Sequence, residues 1–268
     1  MMTQPSEEST TIALDRSAPA RRPAGHPAGF QRWTNLLFVH WPVPAAAVRP
    51  FVPPELTLDT WDGDAWIGLV LFYMSGVRAR FVPPLPGLSC FCETNVRTYV
   101  HLRGRDPGVW FFSLDASNSP AVWFARRYWH LPYYRSRMTL ARRDDTLEYS
   151  SRRAAEPNPC GYHVQAEIGP LLGTGIADSP LPAGRALPGT LEHFLIERYI
   201  LYVTDPAGKL LAGRVHHAPY PIRDVRSLSL DESMLSAAGL ARPEAPAHVA
   251  FSDGVQVEIF PLRDASSK

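Results

Sequence analysis

From about residue 30 onward the chain is a succession of short apolar runs separated by turn residues. The runs are rich in Val, Phe, Tyr, Trp and Thr, the residue types that fit a pleated, half-buried surface. They predict strands at 34–40, 65–77, 91–103, 109–115, 136–142, 146–152, 161–168, 197–204, 210–217 and 249–260. Asp62-Gly63 and Asp205-Pro206-Ala207-Gly208 have the chemistry of hairpin turns, and Arg143-Asp144-Asp145 joins two further strands. The run AWIGLVLFYMSGV (65–77) is too short to span a bilayer and reads as a strand buried on both faces.

Helical periodicity is scarce. Pro120–Trp129 predicts a helix with proline in its first turn, and Thr190–Glu197 another with Thr190 as its N-cap. Val43–Val48 predicts a short third. The Gly/Pro-rich stretch 171–189 reads as a long loop, residues 1–29 as a polar, disordered tail, and 264–268 as a C-terminal tail. No βαβ rhythm appears. The pattern therefore predicts a mainly β, α+β chain with one antiparallel barrel or sandwich domain over 30–263.

Composition narrows the function classes. A 45% hydrophobic, 20% charged chain of 268 residues has ample material for a core, and a net charge of +1 gives no bulk attraction to nucleic acid or to a membrane. Cys90, Cys92 and Cys160 are an odd set, and no apolar leader precedes them, so reduced thiols and a cytoplasmic location are expected. A small-molecule partner is expected, and a homo-oligomer is left open.

The most informative strand is Glu93–Leu102. Side chains alternate faces along a strand, so Glu93, Asn95, Arg97, Tyr99 and His101 share one face, and Thr94, Val96, Thr98, Val100 and Leu102 the other. Two readings stand. The polar face meets solvent, as in any one-sided sheet, or it lines the interior of a barrel that holds a polar ligand. Adjacent His216 and His217 point opposite ways, which argues against joint metal ligation and leaves one of them as a pocket residue; His217 is taken as the candidate, with the choice between the two left open. No His/Asp/Glu spacing suits a metal, and the Walker, Rossmann and Gly-x-Ser-x-Gly patterns are missing, so neither metal nor cofactor is expected. Glu192, Glu197, Arg198 and Tyr199 read as a structural ion-pair network, with Glu197 and Arg198 facing apart.

Several blocks in order, FVHWPV (38–43), RPFVPPELTLDTWDGDAWIGLV (49–70), CETNVRTYV (92–100), GVWFFSLDA (108–116), ARRYWHLPYY (125–134), LEHFLIERYILY (191–202) and GRVHHAPYPI (213–222), resemble the bacterial domain-of-unknown-function 2071 family. They cover about residues 33 to 260. That family is placed in the acetoacetate decarboxylase-like superfamily. The resemblance implies a strongly curved antiparallel β-barrel around a cavity, with a few short helices at its edges. In the decarboxylase, a helix opening with Pro-Ala leads to a proline and two lysines, one of which forms a Schiff base with the substrate. Here the helix opens at Pro120-Ala121, Arg126 stands at the motif's arginine, and Pro132 at its proline. The lysine positions then hold Tyr133 and Tyr134. Glu93 falls at the superfamily's pocket glutamate, and Arg32 is the candidate for its substrate-binding arginine, at a different spacing.

An imine needs a primary amine, which tyrosine lacks. Lys209 stands in a turn and Lys268 is the last residue, so Schiff-base chemistry is not expected. What the resemblance leaves is a polar cavity in which Glu93 and Tyr133 are the catalytic candidates, Glu93 as acid or base and Tyr133 as hydrogen-bond donor. Arg97, Asn95, Tyr99, Tyr134, Arg126, Arg32 and His217 would contact the ligand. Three functions compete: an acid–base lyase, isomerase or hydrolase; a protein that binds or senses a small molecule; and a filled barrel that binds other proteins.

Overall fold

A computed structural model describes residues 14–153, 159–173 and 184–266. Thirteen strands form one sheet: β1 (Gly29–Val43), β2 (Thr57–Leu58), β3 (Ala65–Ala79), β4 (Phe91–Leu102), β5 (Arg105–Ala116), β6 (Tyr133–Arg143), β7 (Thr146–Arg153), β8 (Gly161–Leu171), β9 (Ile200–Thr204), β10 (Leu210–His216), β11 (Ile222–Glu232), β12 (His248–Ile259) and β13 (Arg263–Asp264). Four short helices accompany it: α1 (Ala45–Val48), α2 (Ser119–Tyr128), α3 (Leu191–Ile196) and α4 (Met234–Ala237).

The sheet closes on itself. β1, β3, β4 and β5 lie side by side, and from β5 the sheet runs through β6, β7, β8 and β11 to β12, which returns to β1. A second path branches from β5 through β9 and β10 to the same β12. Most pairings are antiparallel; β5 is parallel to both β6 and β9. The mainly β, curved barrel-like class expected from the sequence is the one observed.

The branch creates two cores with a shared wall. In β1, Leu37, Val39 and Trp41 enter one core, while Leu36 and Phe38 enter the other. β3 divides in the same way, with Ile67 and Leu69 on one side and Trp66, Val70 and Phe72 on the other. A wall strand buried on both faces needs a near-continuous apolar run. This is why 65–77 lacks polar alternation, and the expectation of burial on both faces holds from Ala65 through Phe72.

Several boundaries differ from the sequence reading. β1 starts at Gly29 and runs through Pro42 to Val43, so the expected helix shrinks to Ala45–Val48. β11 was not anticipated, because IRDVRSLSLDE is polar and half exposed and its apolar signal is diluted. The tail assignment is corrected for residues 14–29. They form a 3-10 turn at Ala18–Ala20, Arg16 pairs with Asp59 at 2.5 Å, and Arg22 pairs with Glu258 at 2.6 Å. Residues 1–13 lie outside the described residues, as do 174–183 of the expected loop and 267–268 of the C-terminal tail, in which Ala265 is buried.

Candidate functional site

β4 carries the site, and its position between the two cores decides the earlier choice. Every residue from Phe91 to Val100 is buried, so the polar face is interior and not solvated. Only His101 escapes: it is half-buried at the strand's end, and its Nδ1 accepts a 2.9 Å hydrogen bond from the Gly104 amide of the following turn.

Glu93 is 4% exposed. Among the described residues its hydrogen-bond partner is Tyr133, whose hydroxyl donates to Oε2 at 2.6 Å. Burial pushes the Glu93 carboxyl up to about 8; the Tyr133 hydrogen bond opposes this, and the Asp115 charge adds to it. Burial, then the facing Glu93, likewise raises the Tyr133 hydroxyl well above its ordinary value. At neutral pH the pair is therefore mostly a carboxylic acid beside a neutral phenol.

Further along the same face, Arg97 Nη2 donates to Leu195 O at 2.9 Å and to Tyr99 Oη at 3.3 Å. Tyr99 Oη donates to Leu195 O at 2.8 Å and meets His40 Nε2 at 2.8 Å. Since the Tyr99 proton is committed to Leu195 O, His40 Nε2 must carry a hydrogen. Neutral His40 then accepts at Nδ1 from His248 Nδ1, 3.0 Å away. Burial, then the charges of His248 and Arg97, hold His40 well below its usual range, which keeps it in that neutral form. Two polar atoms on this face have no partner among the described residues: Asn95 Oδ1 and Arg97 Nε.

His217 closes another part of the same core. It is 3% exposed and stacks on Tyr199 with ring centroids 4.5 Å apart, and Tyr220 stands 4.6 Å from it. Tyr220 leads through Phe38, 5.6 Å away, to Arg97, whose guanidinium is 5.9 Å from the Phe38 ring. Beside His217, Glu197 accepts from the Tyr199 hydroxyl and, at 3.0 Å, from the Tyr220 amide. Arg198 instead pairs with Asp59 at 2.8 Å, so Glu197 and Arg198 do face apart, each in its own buried network.

The tyrosine pair is divided. Tyr133 aligns with Leu114 and enters the core of Glu93, whereas Tyr134 aligns with Asp115 and faces the other side. There Tyr134 lies between two guanidiniums, Arg153 at 3.7 Å and Arg126 at 5.4 Å. Arg153 binds Asp115 through two hydrogen bonds of 2.6 and 3.1 Å, and Ser136 donates to the same carboxylate. Arg126 itself is exposed on α2, in a surface groove of about 470 Å³ with Trp123, Arg127 and Arg135. Arg32 is exposed on β1.

Of the sequence candidates, the structure thus brings Glu93, Tyr133, Asn95, Arg97, Tyr99 and His217 into one core. It separates Tyr134 and Arg126 from them and leaves Arg32 outside. Sequence reasoning missed His40 as Tyr99's partner, although its two-residue spacing from Leu36 and Phe38 puts it on their face. It also missed Asp115–Arg153, for which the only local signal was an acid ending the apolar run VWFFSLDA. The helix leading to the pair forms as expected: Asn118 Oδ1 accepts from the Ala121 amide at 3.0 Å, and Pro120 occupies the first turn. His130, at φ +53°, ends the turn and redirects the chain into β6.

The family model DUF2071, "Uncharacterized conserved protein (COG2071)", matches residues 30–256. The chain belongs to the DUF2071 family. The uncharacterized protein YqjF of Bacillus subtilis (strain 168) is 35% identical over 233 residues, 87% of this chain and 90% of that protein. Among solved structures, the enduracididine biosynthesis enzyme MppR complexed with pyruvate is similar at a TM-score of 0.59 and 13% identity, over 92% of this chain and 95% of that one. An acetoacetate decarboxylase from Legionella pneumophila gives 0.55 and 14%, covering 94% and 95%. An acetoacetate decarboxylase-like enzyme from Sphingomonas wittichii RW1 gives 0.60 and 11%, covering 91% and 95%. At these identities the likeness to solved structures is one of fold, and this DUF2071 member shares the acetoacetate decarboxylase-like fold. No helix among the described residues is long and apolar enough to cross a membrane.

Proposed function

We propose that this DUF2071 protein acts on a small organic carboxylic or carbonyl compound by acid–base chemistry, with Glu93 moving the proton and Tyr133 as its hydrogen-bond partner. The observation that carries the reading is the buried Glu93–Tyr133 pair at 2.6 Å, with a carboxyl pushed up to about 8. A carboxyl tuned towards neutrality can both give and take a proton near physiological pH. Beside it, the unpartnered Asn95 Oδ1 and Arg97 Nε offer an acceptor and a donor for a polar ligand. Arg97 is the anchor for a ligand carboxylate. In a proton transfer next to a carbonyl, ionised Glu93 takes the α-proton while the Tyr133 hydroxyl turns to the developing enolate oxygen; returning the proton to carbon restores Glu93.

No lysine supports an imine route among the described residues. Lys209 is exposed in a turn and pairs with Asp264 at 2.8 Å. Neither described cleft is lined by Glu93 or Tyr133, so the reading requires local opening of the core to admit the ligand. A net charge of +1 suits a small-molecule function without nucleic acid, and a cytoplasmic location is part of the proposal.

The test is solvent deuterium exchange into a panel of 2-keto and 3-keto acids, followed by NMR. Exchange that Glu93→Gln lowers at least about a hundredfold supports the enzyme. Thermal stabilisation by a panel member without exchange favours the binding protein instead. Neither response sinks both, and leaves a filled barrel.

A further inference from the structure

A second polar recess lies apart from Glu93, where four strands present one side chain each at the same level. Phe30 of β1 stands opposite Arg78 of β3 on one side and opposite Glu258 of β12 on the other, and Glu258 stands opposite His216 of β10. Cross-strand partners share a face. The four side chains therefore make a row: guanidinium, phenyl ring, carboxylate, imidazole. They line a cleft of about 290 Å³, together with His217, Gln31 and Gln256.

Two features make this row a recognition surface. First, among the described residues Arg78 has no ionic partner; its guanidinium rests 4.5 Å above the Phe30 ring. Glu258, by contrast, is already taken by Arg22, which donates to both of its oxygens at 2.6 and 3.1 Å. Counting Arg78, Arg22 and Glu258, the cleft carries one positive charge in excess. Second, two lining histidines hold a buried ring nitrogen with no partner among the described residues, Nδ1 of His216 and Nε2 of His217. His217 is 3% exposed. Its Nδ1 contacts the Ala218 carbonyl at 2.8 Å; a carbonyl only accepts, so Nδ1 carries the hydrogen and Nε2 is a bare acceptor. Burial lowers the His217 ring to about 4, which keeps Nε2 a bare acceptor at neutral pH. A buried acceptor without a donor is uncommon in a folded protein.

We propose that this cleft binds a small monocarboxylic acid that carries a hydroxyl beside its carboxylate. Arg78 takes the carboxylate, His217 accepts from the hydroxyl, and Phe30 forms the apolar floor. A hydroxyl suits the site better than an ammonium, because the single excess positive charge matches a monoanion and not a zwitterion. The cleft shares His217 with the core that holds Glu93, but the proposal invokes no chemistry at Glu93.

Three matched probes test it on the full chain by titration calorimetry at pH 7. Mandelate has both groups, phenylacetate lacks the hydroxyl, and benzyl alcohol lacks the carboxylate. Mandelate should bind, and each of the other two should bind at least about tenfold more weakly. Arg78→Gln, a change at a half-buried surface position, should reduce mandelate affinity to that of benzyl alcohol. Glu93→Gln should leave it unchanged, which separates this site from the interior one. His217→Phe should erase the preference for mandelate over phenylacetate, with an unligated melt confirming that the variant folds; if it does not, the probe comparison and Arg78→Gln decide. Equal affinity for mandelate and phenylacetate, no binding of mandelate, or undiminished binding to Arg78→Gln would each overturn the proposal.

Discussion

Tyr133 donates its hydroxyl hydrogen to Glu93 at 2.6 Å inside the second core, from a position where the sequence resemblance places a lysine. A lysine there would neutralise Glu93 as an ion pair. A phenol leaves the carboxyl without a counter-charge, and burial then drives it towards its protonated form.

The Glu93 carboxyl makes stability depend on pH in a defined direction. Its folded value, about 8, lies above the ordinary 4.5, so between these values the native chain holds a proton that the unfolded chain has lost. Its contribution is complete below about 4.5 and declines as pH rises to about 8. His217 and His248 run the other way: burial lowers both to about 4 from 6.5, so they destabilise the fold as pH falls through that interval. Urea unfolding of the native chain and of Glu93→Gln isolates the acid. The variant should gain on the native chain from pH 5 to 8, by up to about 1.4 kcal/mol per pH unit. Parallel curves would show that Glu93 ionises normally.

The Asp115–Arg153 pair should be costly to break from one side. Asp115 has no exposed surface and Arg153 is 7% exposed, so Arg153→Met strands a carboxylate in the core. The expected loss is about 3–5 kcal/mol, with a good part regained in Asp115→Asn/Arg153→Met, because the uncompensated charge is gone. Chemical denaturation of Arg153→Met, Asp115→Asn and the double variant gives the cycle. A loss under about 1 kcal/mol in the single variant would mean that water reaches the carboxylate.

Gly68 is held by a close approach. A Cβ there would sit 2.8 Å from His40 Cδ2 and 3.1 Å from His40 Nε2, against a ring fixed by Tyr99. Gly68→Ala should cost about 1–3 kcal/mol through overpacking. It should also shift the His40 ring resonances in NMR. Unchanged resonances would show that the sheet yields elsewhere.

Borohydride reduction in the presence of keto acids should leave the mass of the protein unchanged. Tyrosine forms no imine, and Lys209 is exposed and paired. A reduced adduct, located by peptide mass, would require an amine route.

The sequence by itself determined most of the strands, because period-two runs and turn residues are local signals, but not the polar β11 or the two-residue β2 and β13. It determined which residues share a face of β4, because alternation is a property of the strand alone. It also determined, through the quoted blocks, the family and hence the curved barrel. What it left open was which environment each face meets. Glu93–Tyr99 has the pattern of a solvated face, and only the branch of the sheet between β5 and β12, which gives β4 a core on both sides, made that face interior. The tertiary structure alone also parted Tyr133 from Tyr134: adjacent residues of a strand point apart, and whether both sides are buried depends on what the sheet encloses. For the same reason Arg32 stayed outside, while His40, Asp115 and Arg153 became buried partners across 21 to 59 positions of chain. Such contacts follow from the closure of the sheet, and closure is fixed by pairings distant in sequence.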